Sequence, residues 1–256
     1  MRLDVVIPAH NEEQRIGRTL HAYRVRCPDA DTRFIVALDR CTDRTVDVVR
    51  EHMTADDRVD MLQYPKLGKG GVLMEAFRTS DAELIGFADA DCATPPAEFL
   101  RLVEAAKAAD GAIATRHHPA SVLPTKRSLG RRVTSATFSM LVRGMFGLPY
   151  SDTQCGAKVL QREVVRRVIP LLSSRDFLFD VDLLVTAKRL EFNIVEVPTI
   201  WIDRDGSHVN TASDATQMAV SALRLWLHHK TIPVPSESAY VPDEVVSDLV
   251  SSGAAS

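Results

Sequence analysis

The sequence predicts an α/β protein, a mostly parallel central sheet with helices on both faces. Two observations predict it. Short β-branched or apolar runs alternate with stretches of helical spacing through the first half of the chain, the pattern of repeated strand, helix, strand units. Three polar clusters, Ala9-His10-Asn11-Glu12, Asp39 and Asp89-Ala90-Asp91, each follow one of those runs, and in parallel sheets ligands bind outside the carboxyl ends of the strands. At 256 residues, 45% hydrophobic and 25% charged, the chain is long enough for a large core and ordinary for a soluble globular protein.

The strands expected, in order, are LDVVIP (3–8), RFIVAL (33–38), VDMLQY (59–64), ELIGFA (83–88) and GAIAT (111–115), with helices near 12–25, 43–53, 69–79 and 96–109. Beyond them the pattern is less regular, with helices near 129–147, 161–172, 178–190 and 213–229 and a strand near 193–202. No internal repeat is present. Residues 1–230 read as one domain, and residues 231–256, rich in proline and small polar residues, as a disordered tail.

A formal charge of −3 and a pI near 6.2 argue against nucleic acid as a partner. Cys27, Cys41, Cys92 and Cys155 form no C-x-x-C pair, against a zinc site or a disulfide scaffold and in favour of a reducing cytoplasm. The N-terminus lacks the pattern of a signal peptide, and no stretch reaches the roughly 18 uncharged apolar residues of a membrane span. The expected location is cytoplasmic, with any membrane contact peripheral.

FADADCATPP (87–96) ends a strand with two carboxylates two residues apart, which share one face of an extended chain. Asp89 and Asp91 repel unless something positive lies between them, and a divalent cation fits that need: magnesium, manganese and calcium prefer hard oxygen ligands, and magnesium is usually held by one or two carboxylates plus substrate phosphates. In PAHNE (8–12), Asn11 suits an N-cap, and the helix N-terminus suits an anionic diphosphate. In LDRCTDRT (38–45), Asp43 is placed to cap the next helix, while Asp39 serves a turn or accepts from a base N–H. GKGG (68–71) lacks the spacing of a P-loop; it marks a turn before a helix, and beside the two aspartates Lys69 becomes a candidate nucleotide contact.

Residues 111–151 hold no Asp or Glu but six basic side chains, Arg116, Lys126, Arg127, Arg131, Arg132 and Arg143, with His117 and His118. Such a run is a solvated basic face, or a site for a phosphate-bearing acceptor or an anionic membrane surface. Within it, 133–149 has no charge but Arg143 and suits a core helix or a helix lying in a membrane interface. In SDTQCGAKVL (151–160) no base accompanies Cys155, which reads as a packed thiol. Asp152 suits a general base or an acceptor-orienting group. FDVDLLVTAKRL (179–190) is an amphipathic helix carrying Asp180 and Asp182, mostly scaffold.

Taken in order, IPAHNE, LDRCTDRT, GKGG, DADCATPP, DTQCGAKVL and FDVDLLVTAKRL with VEVPTIW resemble the family 2 glycosyltransferases over residues 3–230. The likeness is greatest to dolichyl-phosphate β-glucosyltransferases and other polyprenyl-phosphate glycosyltransferases. It implies the GT-A (Rossmann-like) fold, a UDP-sugar donor such as UDP-glucose, Mg2+ or Mn2+, and inversion at the anomeric carbon. Carried across, Pro8, Ala9, Glu12 and Asp39 would hold the uridine with Lys69 close by. Asp89 and Asp91 would face the ribose, the metal and the diphosphate. Arg116 and Arg131 would contact an acceptor phosphate, with Asp152 near the reacting centre.

The expected activity is metal-dependent transfer of a sugar, glucose first, from a UDP-sugar to polyprenyl phosphate. The nearest rival transfers to a hydroxyl of a soluble small molecule, with Asp152 as base. A nucleotide-sugar-binding protein without turnover leaves the paired acidic and basic candidates unused, and a sugar nucleotidyltransferase would need a glycine-rich, basic N-terminal loop that this chain lacks.

Overall fold

Alternating burial along the first strand sets the architecture. In β1 (Leu3–Ala9), Val5 and Ile7 enter one apolar core and Val6 enters another on the opposite face. A strand buried on both faces needs helices on both faces. The computed structural model of the chain describes residues 1–124, 129–203 and 213–231, with side chains at 129–136, 213–217 and 219 outside the description. After β1 come α1 (Ile16–Arg26), β2 (Thr32–Asp39), α2 (Thr45–Ala55), β3 (Val59–Tyr64), α3 (Lys69–Arg78), β4 (Leu84–Ala88), α4 (Pro96–Lys107) and β5 (Gly111–Thr115). The second half holds α5 (Leu129–Phe146), β6 (Ala157–Gln161), α6 (Arg162–Val168), a 3-10 turn at Ile169–Leu171, α7 (Phe179–Arg189), β7 (Ile194–Pro198) and α8 (Ser213–Thr231).

The strands form one sheet in the order β3-β2-β1-β4-β6-β5-β7. All neighbours pair in parallel except β6, which runs antiparallel to both β4 and β5. One core holds Leu20, Tyr23, Val49 and Phe99 from α1, α2 and α4; the other holds Phe77, Val164, Phe179, Leu184, Val142 and Leu225 from α3, α6, α7, α5 and α8. The expected α/β class and mostly parallel sheet are found.

Three expectations are corrected. β6 is a strand where none was expected, because AKVLQ is short, has a charge at its second position and lacks a β-branched run; its Lys158 is in fact fully buried. The helix expected from 12 starts at Ile16, because Asn11 takes a left-handed φ of 56° and residues 13–15 turn before the helix begins. The strand expected over 193–202 ends at Pro198, after which Ile200 makes only an isolated bridge to Val122. Of the expected tail, Thr231 is the last residue of α8, and 232–256 lie outside the described residues.

Candidate active site

Parallel strands present their last residues along one edge, and the sequence candidates gather there. Pro8 and Ala9 end β1, Asp39 ends β2, and Asp89 and Asp91 follow β4. The reversed β6 makes the same edge accept a second segment, since its N-terminal end meets the C-terminal end of β4 through the pair Ala88 and Ala157. The turn 152–156 therefore arrives beside Asp89.

The loops that follow β1, β2 and β3 are tied to one another. Asp39, 7% exposed, accepts from the Leu67 and Gly68 N–H groups at 2.7 and 3.2 Å, fixing the loop that enters α3. Its carbonyl accepts from His10 Nδ1. Asn11 is not an N-cap: its Oδ1 accepts from the Thr42 N–H at 2.8 Å. Asp43 accepts from the Thr45 N–H, at the first residue of α2, and from the Glu13 N–H, at 3.0 and 3.2 Å. Arg15 grips the Glu12 carboxylate with Nε and Nη2 at 2.5 and 2.7 Å. Burial pushes the Glu12 carboxyl up; Arg15 opposes this, and the charges of Asp91 and Asp89 add to it, so the three acids share one electrostatic neighbourhood.

Lys69, the first residue of α3, places Nζ 2.7 Å from Asp89 Oδ1. Burial works against the Lys69 charge, but Asp89, Asp180 and Asp91 more than offset it, and its pKa is raised. Asp91 accepts from the Ala93 N–H at 2.9 Å, yet burial and then the Asp89 charge raise its carboxyl above the ordinary value. Two hard carboxylates under mutual repulsion fit a divalent cation. Among the described residues no three His, Cys, Asp or Glu side chains gather to hold a metal. The pair therefore suits an ion that takes its remaining ligands from phosphate oxygens and water, as magnesium and manganese do with nucleotides.

Acceptor candidates meet the donor side across the turn. Arg116, just after β5, donates from Nε and Nη2 to the two carboxylate oxygens of Asp152 at 2.6 and 2.9 Å, and its backbone N–H adds a third bond at 3.0 Å. Asp152 is fully buried and also accepts from the Gln154 N–H at 3.2 Å. Burial opposes its ionisation, but Arg116 dominates and holds the carboxyl well below the usual carboxylate range. Asp152 is thus an enclosed carboxylate whose oxygens are taken up by Arg116 and the Gln154 N–H. The Arg116 guanidinium also lies over the Trp201 ring, 5.5 Å from its centroid. Arg131 falls in the first turn of α5, where side chains are not described, and Lys126 and Arg127 lie outside the described residues. Burial pushes the Cys155 thiol up to about 12, which fits a packed thiol.

Four residues that sequence reasoning missed build this junction. Gly156 has no side chain where one would stand inside the Asp89 carboxylate. Glu196 on β7 accepts from the Ser151 and Asp152 N–H groups at 2.8 and 3.1 Å. Lys158, fully buried, donates to the Cys155 carbonyl at 2.9 Å and pairs with Asp180. Trp201 backs Arg116. Only recognition of β6 as a reversed strand would have pointed to the first three.

A family model described as Glycosyl transferase family 2 matches residues 4–169. The Drosophila melanogaster dolichyl-phosphate beta-glucosyltransferase is 30% identical over 247 residues, covering 90% of this chain and 76% of that protein. The Micrococcus luteus undecaprenyl-phosphate mannosyltransferase is 28% identical over 234 residues, covering 88% and 94%. Glycosyltransferase AglD of Haloferax volcanii is 29% identical over 233 residues, covering 88% of this chain; the chain spans only 37% of that relative's length. Among solved structures, glucosyl-3-phosphoglycerate synthase from Mycobacterium tuberculosis, in complex with Mn2+, UDP and glucosyl-3-phosphoglycerate, superposes with a TM-score of 0.65 at 19% identity. The match covers 91% of this chain and 81% of that one, a likeness of fold.

Proposed function

The chain belongs to glycosyl transferase family 2, and from that premise we propose that it transfers a sugar, glucose first, from a UDP-sugar to polyprenyl phosphate with inversion, using Mg2+ or Mn2+ at Asp89 and Asp91. Pro8, Ala9, Glu12, Asp39 and Lys69 hold the nucleotide; Arg116 and Arg131 receive the acceptor phosphate. The carrying observation is the closed pair of Arg116 and Asp152. A hydroxyl acceptor needs a base to take its proton, and a carboxylate held this far below its usual range is a poor one. A phosphate acceptor is already anionic and needs positioning and charge neutralisation instead. The pair uses Nε and Nη2, which leaves Nη1 for a phosphate oxygen. When bound, the cation neutralises charge developing on the departing diphosphate. Two relatives, a dolichyl-phosphate beta-glucosyltransferase and an undecaprenyl-phosphate mannosyltransferase, support the same acceptor class.

A lipid acceptor brings the protein to a membrane surface. Among the described residues no helix is long and apolar enough to cross one. Contact is peripheral in this reading, through helices α5 and α8. Val220, Leu223 and Leu227 are exposed along one face of α8, with Arg224 among them, and Met140 and Leu141 are exposed on α5 beside Arg143. Neither 137–148 nor 218–231 contains Asp or Glu. The test supplies UDP-glucose and other UDP-sugars with polyprenyl phosphate in anionic vesicles, and in parallel with soluble alcohols, and reads products by mass spectrometry. Lipid-linked sugar is expected. Glycosylation of a soluble alcohol alone, abolished by Asp152→Asn, would establish the rival.

A further inference from the structure

We propose that Asp182 is a positioning residue of the donor subsite, linking helix α8 to the first turn of α3. The inference rests on the reading that Lys69, Asp89 and Asp91 hold the donor. Asp182, in the first turn of α7, is fully buried and touches no residue assigned to substrate. Its Oδ2 accepts from the Ser173 and Ser174 N–H groups, both at 2.8 Å, and from Ser173 Oγ at 3.2 Å. Its Oδ1 accepts from His229 Nε2 at 2.7 Å. Arg189 Nη1 can only donate, so the 2.9 Å contact to His229 Nδ1 leaves the ring proton on Nε2, facing Asp182. The ring also meets Phe146 of α5 edge to face, centroids 6.2 Å apart. His229 is thus where α5, α7 and α8 join.

The segment fixed by Asp182 is the seat of α3. No side chain caps that helix, and the amide of buried Gly71 in its first turn donates to the Arg175 carbonyl at 3.1 Å. The fit leaves no room: a Cβ on Gly68 would come within 2.5 Å of the Arg175 carbonyl oxygen, and one on Gly70 within 2.9 Å of the Ser174 carbonyl oxygen. Lys69 lies between these two glycines and reaches Asp89 from there. Freeing Ser173 to Arg175 therefore lets the first turn of α3 shift and carries Lys69 away from the diphosphate position.

The experiment compares Asp182→Asn, His229→Ala and His229→Gln with the parent by thermal melting, by UDP calorimetry with Mn2+, and by separate donor and acceptor KM values. Asp182→Asn is expected to weaken UDP binding about tenfold or more, as loss of an outer-shell partner does, and to raise the donor KM while the acceptor KM holds. His229→Ala should do the same more weakly, and His229→Gln, which keeps a donor for Asp182, should restore affinity. Should Asp182→Asn fail to fold, the two His229 variants decide. Parental UDP affinity in Asp182→Asn and His229→Ala, whatever the melting temperature, would overturn the proposal. A parent protein that binds no UDP would remove the donor reading beneath it.

Discussion

A Cβ on Gly156 would stand 1.7 Å from Asp89 Oδ2. The turn before β6 and the end of β4 are in contact at their backbones, with the Asp89 N–H donating to the Gly156 carbonyl at 3.1 Å. Gly156→Ala must therefore move the Asp89 carboxylate or push β6 outward. UDP affinity in the presence of Mn2+ is expected to fall about tenfold or more. Titration calorimetry reads this directly, and undiminished affinity would mean that Asp89 is not at the donor site.

Asp91→Ala should remove metal-dependent UDP binding while the fold survives, because the residue follows β4 outside the packed strands. The pH dependence carries a sign. A cation needs the carboxylate, and the Asp91 carboxyl is raised by burial and by Asp89, so acidification should weaken metal binding earlier than an ordinary aspartate would. Without metal, the folded chain keeps that proton where the unfolded chain has lost it. The contribution of Asp91 to stability then falls as pH rises through the window between its unfolded and its raised folded value. Melting curves across that range, with and without Mn2+, check both directions.

Arg116→Ala leaves Asp152 charged and buried, a loss that costs about 3–5 kcal/mol for a buried pair. Asp152 has the opposite linkage to Asp91. Its folded pKa is depressed, so its stabilisation is present above the unfolded aspartate value and is lost as pH falls through the folded one. Acid denaturation of the parent should show this loss, and Asp152→Asn should flatten it. The kcat profile between about pH 5 and pH 9 should show no limb from Asp152, whose carboxyl is held well below the usual range.

Asp39 should distinguish bases. A carboxylate accepts from uracil N3–H, which cytosine lacks, and a lost buried hydrogen-bond partner costs about 1–3 kcal/mol. UDP should outcompete CDP in the parent. Asp39→Ala should narrow that gap and, by releasing the Leu67 and Gly68 amides, lower the melting temperature as well. Equal competition by CDP in the parent would defeat the assignment.

Leu223→Asp combined with Leu227→Asp places two acids on the exposed face of α8. Sedimentation with anionic vesicles should drop, and should drop in the parent too as salt is raised, while UDP affinity stays at the parental value. Unchanged sedimentation would move membrane contact off this face.

The donor side was legible because it obeys local rules. Apolar runs ending at Ala9, Asp39 and Ala88 announce strand ends in a parallel sheet, and strand ends converge. The acceptor side was less so. Asp152 could be singled out, but its partner Arg116 is 36 residues away, and only the reversal of β6 brings them together. Nothing in AKVLQ marks it as a central strand when one of its inward positions is a lysine satisfied by Asp180 and the Cys155 carbonyl. Gly156 and Glu196 were invisible for the same reason: their roles are set by residues far along the chain. Asp182 read as scaffold because a helical aspartate is ordinarily solvated, and its burial follows from a loop and a helix that periodicity cannot pair.

The excursion from β5 to β6 leaves and returns through one clasp: Thr115 bonds Ser151 at 2.7 Å, and Arg116 bonds Asp152 beside it. Closing an already pinned loop depends only weakly on its length, since each doubling adds about 0.6 kcal/mol. Residues 117–150 can therefore vary in length between the same two ends, provided the stretch keeps apolar side chains where Phe138, Val142, Leu148 and Tyr150 enter the core. On the proposed reading that Arg116 and Arg131 face the acceptor, a graft that keeps those apolar positions should change acceptor use while UDP affinity stays near the parental value.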